Sequence, residues 1–189
     1  MKLTMGSLLV LALLGTEARA DDGVYISAMV SFGAPSVKTT RDLDGDRLRS
    51  SRFRSAIGYR HGAWAIEPTL ALVSVGERNY AMETTTTVYD FAAAGAQGKY
   101  LWQQGAGAWY ARLGATRSWS GAAIGRPSQH GGGIEGGVGY QLGQSAGRGA
   151  GGFFADVAYD VTWIGPRESD ADRISTVYFS LGFGAGTGY

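Results

Sequence analysis

The chain has 189 residues, 44% of them hydrophobic and 31 of them glycine, with no cysteine. That length suits one domain, the missing thiols exclude a disulfide framework, and no mature segment offers the roughly 18 consecutive apolar residues that a transmembrane helix requires. The formal charge of +1 falls to zero once Lys2, Glu17 and Arg19 leave with the leader described next, so no nucleic-acid partner is expected.

Residues 1–20 read as a secretory signal: Lys2 supplies the positive start, residues 8–14 the short apolar segment, and Ala18-Arg19-Ala20 a small-x-small cleavage site before Asp21. Residues 21–189 then form the expected domain. Its first strand is 24–33, where Val24, Ile26, Ala28, Val30 and Phe32 share one face and Tyr25, Ser27, Met29 and Ser31 the other. A polar loop, 34–51, follows. The second strand, 52–60, sets Phe53, Ile57 and Tyr59 against Arg54, Ala56, Gly58 and Arg60, and a tight turn at His61-Gly62 leads into the third. There Trp64, Ile66, Leu70 and Leu72 oppose Ala65, Glu67, Thr69 and Ala71, with Pro68 removing one ladder donor.

A loop at 75–86 precedes the fourth strand, 87–102, in which Tyr89 and Phe91 take one phase and Tyr100 and Trp102 the other. That change predicts a bulge near 95–98 that resets the register. After a turn at 103–107, the fifth strand sets Trp109, Ala111, Leu113 and Ala115 against Tyr110, Arg112, Gly114 and Thr116, and Trp119 closes it. The loop 120–132 leads to the sixth strand, with Ile134, Val138, Tyr140 and Leu142 opposing Glu135, Gly137, Gly139 and Gln141. A glycine-rich turn, 143–152, gives the seventh, where Phe153 to Trp163 alternate with Asp156, Ala158, Asp160 and Thr162. The charged loop 165–173 ends at the last strand, 177–189, which sets Val177, Phe179, Leu181 and Phe183 against Tyr178, Ser180 and a run of glycines and stops on Tyr189.

Eight strands in succession predict an all-β, antiparallel, up-and-down barrel, and three features place it across a membrane. The less greasy face is mostly small residues with single charges, which suits a narrow filled lumen and turns the apolar face toward lipid. Long polar connections follow the first, third, fifth and seventh strands, and tight ones the second and fourth; the link after the sixth is longer than this scheme favours. Aromatic residues cluster at strand ends, where an amphipathic ring is most stable between acyl chain and headgroup. Tyr59, Trp64, Tyr100, Trp102, Trp109, Tyr140, Phe153 and Tyr189 form the expected periplasmic belt, and Phe32, Phe53, Tyr89, Trp119 and Trp163 the external one.

In this pattern the whole mature chain resembles the small eight-stranded outer-membrane barrels of Gram-negative bacteria, a group that includes the OmpA transmembrane domain, OmpX and the opacity-type adhesins. The terminal Tyr189 departs from that group, which more often ends in Phe. The resemblance implies a place in the bacterial outer membrane, contact with its lipid and lipopolysaccharide, a monomer, and recognition of Phe183 and Tyr189 by the assembly machinery. No cofactor is expected.

Arg54, Glu67, Lys99, Arg112, Glu135, Asp156 and Asp160 all fall on the expected lumen face. Counted from the turns, Glu67, Lys99, Arg112 and Asp156 sit at similar depths, so opposite charges meet in a plug of ion pairs, each needing a partner. A narrow porin-like channel is the alternative. Asp42, Asp44 and Asp46 alternate as in calcium loops, but Arg47 and Phe53 stand where a turn glycine and a bidentate Glu belong, so the segment reads as a solvated loop without metal. Residues 131–136 fit G-x-G-x-x-G, but they open a strand and not a helix. An enzyme that modifies lipid A is the rival class: Ser128 and His130 are two apart and on a strand would share a face, in reversed order relative to lipid A deacylases and without an evident acidic partner. Arg41, Arg47, Arg49, Arg78, Arg126, Arg167 and Arg173, in the expected loops, offer a binding surface for lipopolysaccharide phosphates or a host or neighbour-cell ligand.

Overall fold

The computed structural model describes residues 22–38, 48–79, 84–104, 107–120, 128–142, 151–165 and 172–186. The leader 1–20, the acidic trio Asp42, Asp44 and Asp46, the arginines Arg41, Arg47, Arg126 and Arg167, and Tyr189 lie outside the described residues, as does the side chain of Arg78. Eight strands are present: β1 Gly23–Lys38, β2 Leu48–His61, β3 Trp64–Asn79, β4 Thr84–Gln104, β5 Gly107–Ser120, β6 Gln129–Leu142, β7 Gly151–Gly165 and β8 Asp172–Gly186. Each pairs antiparallel with its neighbours in sequence, and β8 pairs with β1, so the sheet closes into a barrel. Closure matters because an open sheet would leave an unpaired edge.

The register fixes the shape. From Val30 one hydrogen-bonded row runs through Phe53, Leu72, Ala92 and Trp119 to His130, and in the other direction through Leu181 and Ala155 to Tyr140. The two routes reach β6 ten residues apart, at His130 and Tyr140, and that is the stagger of the barrel. With eight strands, a rise of about 3.3 Å per residue and a spacing of about 4.8 Å, the strands tilt roughly 40° from the axis. A hydrogen-bonded row therefore climbs about 3 Å per strand, upward from β1 through β2 to β6.

The two ends differ. At the turn end, β2 and β3 are joined through Gly62, whose φ of 61° lies in the left-handed region that favours glycine. The Gly62 backbone N–H donates to Asp22 Oδ1 at 3.1 Å, and Ala63 O accepts from Leu101 N at 2.7 Å. Pro68 interrupts the β2–β3 ladder between the Ala56–Thr69 and Tyr59–Ile66 pairs without shifting its register. At the loop end the strands run beyond the spans expected from sequence: β1 continues to Lys38, β2 begins at Leu48 and β3 extends to Asn79. At this end the outer face turns polar: Ser36, Lys38 and Arg49 are exposed while Leu48 and Val75 are buried.

β4 corrects the expected bulge near 95–98. Its residues 91, 93, 97, 99 and 101 are all buried, in one unbroken phase, and the irregularity lies at Val88, where Val75 pairs with Tyr89 and Gly76 with Thr87. Val88 and Tyr89 are consecutive and both buried, as a bulge permits. Because the natural chain has no cysteine, single thiols can be introduced along β4. Thiols at 92, 94, 96 and 98 are expected to react with a membrane-partitioning maleimide in lipid and those at 91, 93 and 97 to resist it; an exchange of the two sets beyond residue 95 would restore the displaced bulge.

Candidate functional site

The lumen is layered. Near the turn end it is filled by Tyr25, Met29, Ala65, Leu101, Ala108, Tyr110 and Phe154, and near the loop end by Leu48, Val73, Val75, Val88, Tyr89, Phe91, Ile164 and Ile174. Between these apolar plugs lies the polar layer. Arg54, Glu67, Lys99, Arg112, Glu135, Asp156 and Asp160 are all buried there, none more than 8% exposed.

Glu135 on β6 sits at the centre. Arg54 Nη1 donates to its Oε1 at 2.6 Å, and Arg52 and Arg112 form ion pairs with the same carboxylate. Arg112 Nε also donates to Asp156 Oδ2 at 2.7 Å, where Tyr110 Oη donates at 3.1 Å. Asp160 lies 4.0 Å from Arg52 and accepts from Thr162 Oγ1 at 2.9 Å. Closer to the turn end, Lys99 Nζ donates to Glu67 Oε1 at 3.0 Å and Tyr25 Oη to the same atom at 2.5 Å. Expected neighbours at similar depth do meet: Glu67 with Lys99, and Arg112 with Asp156.

Gln97 joins the two groups. Its amide nitrogen donates to Glu67, while its carbonyl oxygen accepts from Arg54 Nη1 at 3.1 Å and Arg112 Nη1 at 3.2 Å. Only a neutral side chain with a donor and an acceptor can serve a carboxylate and two guanidinium groups at once. Rings complete the packing: Arg52 lies 4.1 Å over Tyr178, and Lys99 lies 4.5 Å over Tyr110. Arg52, Gln97, Tyr25, Tyr110 and Tyr178 are members that the sequence reading left out of the network. Arg52 was legible, since it precedes Arg54 by one strand period; Gln97 was hidden by the misplaced bulge. The voids in this layer are small, about 30 Å³ beside Arg52, Glu135 and Asp160 and about 10 Å³ beside Glu67, Gln97 and Lys99.

On the outer face at the turn end, Tyr59, Trp64, Trp109 and Phe153 are exposed and Tyr100, Trp102 and Tyr140 half-buried. Their rings meet edge to face, Trp64 with Tyr100 at 4.7 Å and Trp109 with Tyr140 at 5.0 Å, and Phe183 joins the ring through Phe153 at 5.4 Å. At the loop end Phe32, Phe53, Trp119 and Trp163 face outward. Phe53 shares a row with Trp119 but lies three strands down it, hence about 9 Å lower. Tyr89 is a correction: it is 4% exposed, packs in the loop-end plug, and its hydroxyl donates to Asp172 Oδ2 at 2.5 Å. The Val88 bulge turns it inward. Ser128, just ahead of β6, and His130, within it, are exposed, and among the described residues neither has a hydrogen-bonded carboxylate.

No family model matches the chain, and no curated protein matches it. Solved structures do. Neisserial surface protein A (NspA) aligns at 15% identity with a TM-score of 0.51, over 85% of this chain and 95% of that one. The fold is that of the small eight-stranded outer-membrane β-barrels. The N-terminal barrel domain of Pseudomonas aeruginosa OprF aligns at 15% identity and a TM-score of 0.48, over 89% of this chain and 99% of that one. Ail of Yersinia pestis, crystallised with the heparin analogue sucrose octasulfate, aligns at 16% identity and 0.45, over 86% and 99%.

Removing one partner of a buried ion pair costs about 3–5 kcal/mol, because a charge is left in low dielectric without compensation. Glu135→Ala is therefore expected to lower unfolding stability in detergent micelles by at least about that amount, whereas Ser36→Ala on the outer face stays within about 0.5 kcal/mol. Urea titration followed by tryptophan fluorescence measures both, and equal midpoints for the two variants would remove Glu135 from the centre of the network.

Proposed function

We propose that the chain is an integral outer-membrane barrel with a side-chain-filled lumen and a structural or surface-interaction, adhesin-like role, exported by its leader and assembled as a monomer through recognition of its last strand. The inversion of its faces carries this reading. Ile66, Leu113 and Phe153 are 65%, 70% and 70% exposed, while Glu67 and Arg112 beside them in sequence are 1% and 4% exposed. In water that arrangement would be unfavourable twice over, exposing a continuous apolar surface and burying charge. In hydrocarbon it is favourable. Trp109 and Trp119 mark the two limits on β5, ten residues apart and therefore about 25 Å along the axis, the height of the apolar band of outer-membrane barrels.

The polar layer and the two apolar plugs favour a closed lumen over a channel, since the voids admit little more than single small molecules. The remaining roles fall to the loop end, where β1 to β4 and β8 extend past the level of Trp119. Unboiled protein is expected to migrate apart from boiled protein on a detergent gel, as a folded barrel does. In planar bilayers it should give no steady, sizeable conductance. A single band under both gel conditions would remove the membrane reading, and stable conductance would replace the filled lumen with a narrow channel.

A further inference from the structure

One row on the outer face carries more positive charge than closing a barrel requires. Lys38 of β1 lies opposite Arg173 of β8, Arg173 opposite Trp163 of β7, Trp163 opposite Gly132 of β6, and Gly132 opposite Arg117 of β5. Lys38, Arg117 and Arg173 are all exposed on the outer face, and Trp163 is 41% exposed between them. Among the described residues none of the three cations has an ion pair or a side-chain hydrogen bond. Asp90, the exposed acid at this end among the described residues, lies on β4, across the barrel from Lys38 and Arg173. Like charges directly opposite across two strands are destabilising, and here Lys38 and Arg173 are such a pair. An anion between them would remove that repulsion.

The height of the row says where the anion would sit. Trp163 shares the upper level with Trp119. Arg173 and Lys38 stand one and two row steps above Trp163, about 3 and 6 Å, and Arg117 stands two steps below it. A long arginine side chain rooted in the apolar band extends toward water, carrying its guanidinium up to the headgroup level. Arg117 is three strand spacings from Arg173, about 14 Å. Gly132 leaves the surface between Arg117 and Trp163 without a side chain.

We infer that Lys38 and Arg173 hold one phosphate, and Arg117 a second, of an outer-leaflet glycolipid headgroup that bears two phosphates and rests against Trp163. The site depends on the membrane reading above, so its test first establishes the gel shift. The full chain, folded in detergent micelles, is incubated with bis-phosphorylated lipid A, fully dephosphorylated lipid A or phosphatidylglycerol, and retained lipid is counted by native mass spectrometry. The wild type should retain bis-phosphorylated lipid A about tenfold more than either of the others. Lys38→Gln and Arg173→Gln should each weaken that preference, their combination should bring it within about twofold, and His61→Gln, exposed at the turn end of the barrel, should leave it intact. Both single variants replace outward polar side chains and provide the readout without the double variant. Equal retention of phosphorylated and dephosphorylated lipid A, equal retention of phosphatidylglycerol, or an unchanged preference in the Lys38 and Arg173 variants overturns the site. Wild-type protein that shifts on the gel yet shows no preference sinks this site alone; protein that never shifts sinks the membrane reading.

Discussion

Glu135 faces three guanidinium groups inside a barrel only eight strands wide, and much of the molecule follows from the need to satisfy them. A charge removed from water must find compensation nearby. The apolar outer face offers none, so the compensation comes from the other walls of the same lumen. Arg52 and Arg54 reach Glu135 from β2 and Arg112 reaches it from β5. Asp156 on β7 and Asp160 beside it balance the surplus of cations. Apart from Arg112–Glu135, which joins adjacent β5 and β6, these contacts run between strands that are not sheet neighbours, which hydrogen-bonded ladders alone do not do. The network therefore ties opposite walls together as well as neutralising them.

Apolar groups close the polar layer at both ends. Tyr25 and Tyr110 serve both environments, each packing its ring in the turn-end plug while its hydroxyl donates to Glu67 or Asp156. Tyr178 lies nearer the loop end, its ring beneath Arg52 and its hydroxyl hydrogen-bonded to Ser50. Aromatic rings with a polar tip suit such a boundary, since one side chain can meet hydrocarbon and charge. Tyr89 belongs to this set and not to the outer ring: its ring fills the loop-end plug and its hydroxyl meets Asp172.

The strand pattern was legible because a barrel with a filled lumen and an apolar outer face imposes the same period-two constraint on every strand. Val24 to Phe32 and Val177 to Phe183 show it most clearly, and they pair with each other, Phe32 opposite Phe179. The pattern failed where both faces are small. In β4 the run of alanines and glycine from Ala92 to Ala96 carries no contrast between faces, so the phase had to be inferred from aromatics on either side. Those at 89 and 91 point inward and those at 100 and 102 outward, in one continuous phase. The loop-end extensions were missed for a related reason: beyond the apolar band the outer face turns polar, and an alternating strand then looks like a loop.

The sequence by itself determined that the chain alternates, which residues carry charge on the inner phase, and that both ends of the strands hold rings, since each is a local property of side-chain order. Tertiary structure decided which charges meet. Glu135, Arg54 and Arg112 come together through the ten-residue stagger of the closed barrel, a property of the register around all eight strands. The same stagger sets Phe53 well below Trp119 on one hydrogen-bonded row and lifts Lys38 and Arg173 above Trp163 on another. No window of sequence contains that angle, because it exists only once β8 has closed on β1.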